Sequence, residues 1–122
     1  LPILLKNPKS AIINLSSGLA ISPKKSAPVY CASKAAIHSF TKSLRYQLEG
    51  THVRVIEIIP PIVDTPMTEG RGKNKLSPEN LVIEFIRGFK INKEELYIGK
   101  SKILKFIHRI SPKIADKILK NG

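Results

Sequence analysis

Two short apolar runs separated by a long helical stretch constrain this chain more than any other feature. The first, Ala11-Ile12-Ile13-Asn14-Leu15, lies between Pro8-Lys9-Ser10 and Ser16-Ser17-Gly18. The second, His52 to Ile59 (HVRVIEII), alternates and then becomes apolar. Runs of this length bounded by turn residues read as strands, and the apolar type suits a parallel sheet covered on both faces. Between them, Pro28 to about Glu49 carries Ile37, Phe40 and Leu44 at helical spacings, with proline in the first turn and Gly50 at the end. Strand, helix, strand over about 50 residues is a βαβ unit, which implies parallel pairing.

The remaining segments extend that α/β pattern. Leu1 to Lys6 reads as the tail of a helix, closed by Asn7-Pro8. Gly18 to Ala27 is a loop. Pro60-Pro61 breaks the second strand, and a long polar loop follows to Leu76. Loops of that length inside compact domains are usually functional or mobile. Ser77-Pro78-Glu79 places a cap, a proline and an acid where a helix starts, and that helix runs to about Phe89. Glu95 to Ile98 reads as a short edge strand. Lys102 to Ile110 and Pro112 to Lys120 read as two helical pieces split at Ser111-Pro112. The expected organisation is one partial domain over 1–122. Its parts are a βαβ core at 10–60, a loop-and-helix region at 61–90, and a strand with basic helices at 91–122.

Composition excludes some classes. With 42% hydrophobic and 25% charged residues the chain is globular rather than disordered. No apolar run approaches the ~20 residues of a membrane-spanning helix, and Leu1 to Leu5 lacks the features of a signal peptide. The single cysteine, Cys31, allows no internal disulfide and fits a cytoplasmic location; it reads as a small semi-buried helix residue. The net charge of +12 comes from 21 basic against 9 acidic residues spread along the chain. That spread suits solvated lysines, and no nucleic-acid partner is expected. From Lys100 to Lys120, basic residues interleave with Ile103, Leu104, Phe106, Ile107, Ile110, Ile114, Ile118 and Leu119. Such a stripe fits an interfacial membrane helix, although Pro112 interrupts it and an apolar side would equally cover a core.

The chemistry concentrates in Tyr30-Cys31-Ala32-Ser33-Lys34, which sets a phenol and an ammonium one helical turn apart. A phenol titrates near pH ~10 in water, and a nearby cation favours its phenolate form. The spacing alone carries little, because a surface tyrosine beside a surface lysine looks the same. Context adds weight. Ser17 lies 13 residues earlier, at the carboxyl end of the first strand, and open parallel sheets bind ligands at that edge. A hydroxyl there can hydrogen-bond a substrate carbonyl and the charge developing on it. The second strand delivers Pro60-Pro61-Ile62-Val63-Asp64-Thr65 to the same edge.

Asn14-Leu15-Ser16-Ser17-Gly18, then Tyr30-Cys31-Ala32-Ser33-Lys34-Ala35-Ala36, then a strand closing on a proline turn, resembles the short-chain dehydrogenase/reductase family from Ser10 to about Met67. The resemblance implies a Rossmann-type doubly wound parallel sheet, of which this chain is the C-terminal part with the dinucleotide-binding strands missing. It implies NAD or NADP as cofactor, held here only at its nicotinamide half, and a small-molecule substrate with a carbonyl or alcohol. Tyr30 would exchange the proton of that pair, Lys34 would bind the ribose hydroxyls, and Ser17, preferred to Ser16, would polarise the carbonyl. Tyr30, Lys34, Pro60, Val63 (through its main chain) and Thr65 would form the cofactor contacts. The small residues of the Tyr30 helix would build a homo-oligomer interface.

Where the family usually has Pro-Gly, this chain has Pro60-Pro61, which removes a backbone donor. The Pro-Pro-x-Val-Asp-Thr turn is similar to the bacterial DltE-like oxidoreductases. No G-x-x-x-G-x-G turn occurs in the chain, which begins with Leu1 rather than methionine. The expectation is therefore an upstream half elsewhere and little hydride transfer by this chain alone. Two other readings stay open: a basic binding or scaffolding module without catalysis, and a degraded gene remnant. His38, eight residues after Tyr30 and roughly on its face, reads as a packing or surface residue, with a supporting role behind the site as the other reading. Glu57 and Asp64, either side of the proline turn, have no support as a catalytic pair. His52 and His108 lack ligand-spaced partners, so no metal site is expected.

Overall fold

A computed structural model describes residues 1–121. Its elements run α1 (Pro2–Lys6), β1 (Ser10–Leu15), α2 (Pro28–Gln47), β2 (Val53–Ile59), α3 (Pro78–Lys90), β3 (Glu95–Tyr97), α4 (Ser101–Ile110) and α5 (Pro112–Leu119), with short 3-10 turns at Gly18–Ala20 and Pro66–Thr68. The sheet is parallel, in the order β1-β2-β3. Its register sets Ser10 against Val53, Leu15 against Ile58 and Ile59 against Tyr97. The sheet is thus the α/β arrangement expected from the βαβ pattern.

Alternation along β2 sorts its side chains onto two faces. Val53 and Val55 join Leu48, Leu44, Ile12 and Leu4 on the α2 side. Ile56 and Ile58 join Leu96, Ile98, Leu81, Phe85 and Phe89 on the α3 side. Both faces of the central strand are covered, which is why its sequence is nearly all apolar. The edge strand β1 differs. Its Ile13 and Leu15, opposite Ile56 and Ile58, are about half exposed.

Local signals set the helix ends. Pro28, Pro78 and Pro112 each stand in a first turn, and the Ser77 side chain accepts from the Asn80 N–H at 3.2 Å. The backbone leaves α2 through Gly50 at φ 81°, in the left-handed region. Arg45 secures that end of α2 to the sheet, donating to the Val55 carbonyl at 3.2 Å and pairing with Glu94 at 3.3 Å.

Candidate functional site

The candidate residues gather at the carboxyl edge of the sheet. Beyond Leu15 the parallel ladder continues for three residues: the Ser16 N–H donates to the Ile58 carbonyl at 2.9 Å and the Gly18 N–H to the Pro60 carbonyl at 3.3 Å. Ser17 is therefore held by bonds on both sides. It is buried, and its Oγ accepts from the Leu19 N–H at 3.2 Å, starting the 3-10 turn. Gly18 allows this turn to sit under α4: a Cβ there would come within 3.0 Å of Leu104 Cδ2.

Lys34 joins the helix to the strand end. The Leu15–Ser16 peptide sends its N–H to β2, so its planar trans geometry turns the Leu15 carbonyl the opposite way. The Lys34 Nζ donates to that carbonyl at 2.9 Å. The same ammonium lies 5.7 Å from the centroid of the Tyr30 ring, which is partly open to solvent. Tyr30 and Lys34 are thus brought together, within the first two turns of α2 and against the strand that carries Ser17.

The loop after β2 has its own bracing. Val63 forms a parallel bridge with Leu76, in which the Asp64 N–H donates to the Leu76 carbonyl at 2.8 Å and the Leu76 N–H to the Ile62 carbonyl at 3.0 Å. The N–H of Val63 meets no acceptor among the described residues. Thr68 ties the segment together. Its hydroxyl reaches the carbonyls of Val63 at 2.6 Å and Thr65 at 3.0 Å, and accepts from the Thr65 N–H at 3.0 Å. Lys75 adds a bond to the Thr68 carbonyl and an ion pair with Asp64, both 2.9 Å. Pro60 is buried and its carbonyl is committed to Gly18. Among the described residues no hydrogen bond joins Ser17 or Tyr30 to each other, to Val63 or to Thr65.

A second polar group lies directly behind. Glu57 projects from β2 toward α2 and is 1% exposed. It accepts from the Ser16 hydroxyl, and both its oxygens face His38 Nδ1, at 2.9 and 3.0 Å. Next to it, Asn14 donates to Thr41 Oγ1 at 2.9 Å, and Thr41 donates to the Ile37 carbonyl at 2.7 Å. These bonds fix α2 against β1 and β2. His38, read from the sequence as a packing or surface residue, packs through this contact with the buried Glu57 and stays partly exposed. Glu57 sits inside the strand, whereas Asp64 is exposed on the loop with Lys75.

Sequence reasoning also passed over Thr68. Its signal was the Thr65-x-x-Thr68 spacing, in which two short hydroxyl residues three apart can exchange bonds around a helical turn. Cys31 is buried and its Sγ contacts the Lys24 backbone, 3.5 Å from the N–H.

The comparisons with known proteins bear on the family and the fold. The short chain dehydrogenase family model matches residues 1–76. The uncharacterized oxidoreductase DltE of Bacillus subtilis is 46% identical over 101 residues, covering 78% of this chain and 40% of that protein. An uncharacterized oxidoreductase of Staphylococcus epidermidis is 48% identical over 84 residues, covering 66% of this chain and 36% of that protein. The crystal structure of a short chain dehydrogenase from Burkholderia cenocepacia in complex with NADP superposes with a TM-score of 0.89 at 27% identity, covering 99% of this chain and 51% of that one. The closed form of serine dehydrogenase complexed with NADP+ gives 0.68 at 27% identity, covering 79% and 46%. The chain thus spans about half the length, or less, of each of these four proteins. On the family match and the shared parallel fold, this chain belongs to the short chain dehydrogenase family.

Proposed function

We propose that Ser17, Tyr30 and Lys34 are the catalytic set of a nicotinamide-dependent oxidoreductase that interconverts a carbonyl and an alcohol. The observation that carries this reading is the position of Lys34. Its ammonium spans from the Tyr30 ring to the Leu15 carbonyl, two residues before Ser17. The three side chains thereby occupy one edge of the sheet, and that edge is where open parallel sheets take ligands.

The donor set suits the nicotinamide end of such a cofactor. The Val63 N–H, free of protein acceptors among the described residues, and the Thr65 hydroxyl are suited to a carboxamide. The Lys34 ammonium is suited to ribose hydroxyls, and the Tyr30 hydroxyl lies on the same helix. Pro60 would contact the cofactor from the turn itself, where its carbonyl also accepts from the Gly18 N–H at 3.3 Å. A bound nicotinamide would supply a hydride to the carbonyl carbon in reduction, or accept one from the alcohol carbon in oxidation. In the reducing direction Tyr30 gives its proton to the carbonyl oxygen, and in the oxidising direction it takes the proton back. Ser17 donates a hydrogen bond to that oxygen and holds it as charge develops. Within the chain, 10–60 would carry the chemistry, 61–90 the cofactor loop, and 91–122 the cover beside Ser17.

The chain carries no glycine-rich turn for a pyrophosphate. Activity is therefore proposed for a polypeptide that joins this sequence to a dinucleotide-binding segment, and little turnover for these 122 residues alone. In the joined polypeptide, Tyr30→Phe is expected to lower turnover by about a hundred- to ten-thousandfold with cofactor affinity nearly unchanged. Lys34→Ala is expected to impair both. Steady-state kinetics with fluorescence titration of the reduced cofactor separate the two effects. Full turnover by Tyr30→Phe would remove the tyrosine from the mechanism.

A further inference from the structure

The two C-terminal helices leave much of their apolar surface uncovered. On α4, Leu104 and Ser101 turn inward, and on α5 Ala115 does. Ile103, Phe106 and Ile110, spaced by three and four residues on α4, are 60%, 65% and 69% exposed. Ile114 and Ile118, one turn apart on α5, are 54% exposed each. An apolar side that closed a core would bury these residues, so the core-covering reading of this stripe does not hold for them.

The charges beside the stripe identify what would cover it. Lys102, Lys105, Arg109, Lys113, Lys117 and Lys120 stand against one acid, Asp116, over these two helices and the residue after them. On a 3.6-residue helix these cations fall beside the exposed apolar rows, on the side away from Leu104 and Ala115. Lys102 pairs with Glu84, and Lys105 with Glu95 at 3.7 Å. The other four enter no ion pair among the described residues. A second copy docking face to face would bring the same excess of cations against these, which like-charge repulsion opposes. An anionic surface supplies the opposite sign.

We propose that α4 and α5 form a peripheral docking surface for an anionic lipid membrane. The exposed isoleucines and Phe106 enter the boundary between headgroups and acyl chains, and the flanking cations meet lipid phosphates. No helix among the described residues is long and apolar enough to cross a membrane, so the contact is interfacial. The docking face lies on the side of α4 away from Leu104, the residue that packs over Gly18 beside Ser17, and the inference does not depend on the proposed chemistry.

Co-sedimentation of the chain with phospholipid vesicles tests it. Binding is expected to vesicles that mix phosphatidylcholine with phosphatidylglycerol. It should be at least about tenfold weaker to phosphatidylcholine alone, and weaker in high salt. The double variant Phe106→Ser/Ile110→Ser should lose about tenfold or more in affinity. Ile3→Ser/Phe40→Ser, at exposed apolar positions on α1 and α2, should bind like the parent. Circular dichroism confirms that each variant keeps its helices, and all four substitutions replace exposed residues. Three outcomes overturn the proposal: no preference for anionic vesicles, equal loss in both double variants, or a Phe106→Ser/Ile110→Ser variant whose only change is a smaller sedimenting species without vesicles.

Discussion

Glu57 is the residue on which the most interactions behind the site converge. A carboxylate 1% exposed requires partners on every side, because burying a charge without them is strongly unfavourable. It has Ser16 on one side and His38 on the other, and those residues come from the turn just after β1 and from α2. Removing it orphans both. Glu57→Ala is therefore expected to cost about 2–4 kcal/mol in urea unfolding, as one or two groups lose their bonds and a cavity opens. Glu57→Gln keeps the acceptor for Ser16 and much of the volume, so it should cost roughly half as much. Equal stability of Glu57→Ala and the parent would show that the triplet does not hold the fold. Nothing in the sequence announced this arrangement. In VRVIEII the glutamate reads as one polar position in a strand, and its partner lies 19 residues away on another element.

Tyr97 supplies a pH signature at the same scale. Burial, followed by the carboxylates of Glu95 and Glu57, pushes its hydroxyl up to about 12 from the ordinary value of 10.0. The folded state thus holds this proton more tightly than the unfolded chain does. The associated stability is fully present below pH ~10 and is lost as pH rises toward ~12. Lysines titrate in the same window, so the comparison must be with Tyr97→Phe. That variant should lose less stability than the parent between these pH values, measured by denaturant unfolding at each pH. Parallel curves for the two proteins would show that Tyr97 titrates alike in both states.

At the scale of elements, α3 meets β3 at Gly88. A Cβ at Gly88 would lie 1.9 Å from Leu96 Cδ2, and Leu96 is itself in the core between Ile58 and Ile98. Gly88→Ala has two opposed effects. Alanine favours the helix by about 1 kcal/mol. Forcing a methyl group into a filled core costs about 1–3 kcal/mol. The contact is too close for Leu96 to absorb freely, so the core effect should win and the variant should be less stable by about 1–2 kcal/mol. Gly88→Ala in a Leu96→Val background should cost less, because the atom in the way is gone. A Gly88→Ala chain as stable as its parent in thermal unfolding would place slack where the structure places contact.

This contact also separates what the sequence could say from what it could not. Helix starts were legible because proline and serine act within one turn, as at Ser77-Pro78 and Pro112. The central strand was legible because both faces of β2 are covered, which demands a nearly continuous apolar run. Gly88 carried no such signal, since a glycine inside a helical pattern does not say which neighbour needs the room. At the candidate site, the Tyr30–Lys34 spacing was legible, while the Thr68 brace under Val63 and Thr65 depended on the fold of the loop.

The largest scale concerns what the molecule leaves uncovered. β1 pairs only with β2 among the described residues. Its Ser16 N–H points to β2, so by alternation the N–H groups of Ala11, Ile13 and Leu15 face the open edge. On the α3 side of the same strand Ile13 and Leu15 are 46% and 49% exposed, because α3 covers β2 and β3 but does not reach them. A free edge beside an apolar face invites another strand. This chain should therefore self-associate in isolation despite its net charge of +12, since backbone pairing is short-ranged and charge repulsion is screened beyond ~10 Å in ordinary buffer. Lysine at Ile13 would put a charge in the middle of the edge while removing little buried surface. Ile13→Lys should shift the sedimentation profile toward monomer with a stability change of about 1 kcal/mol or less. A parent chain that sediments as a monomer at high concentration would sink the argument, as would an Ile13→Lys variant that associates as strongly. The opposite result would show that the strand leading to Ser17 takes a neighbour on its open side.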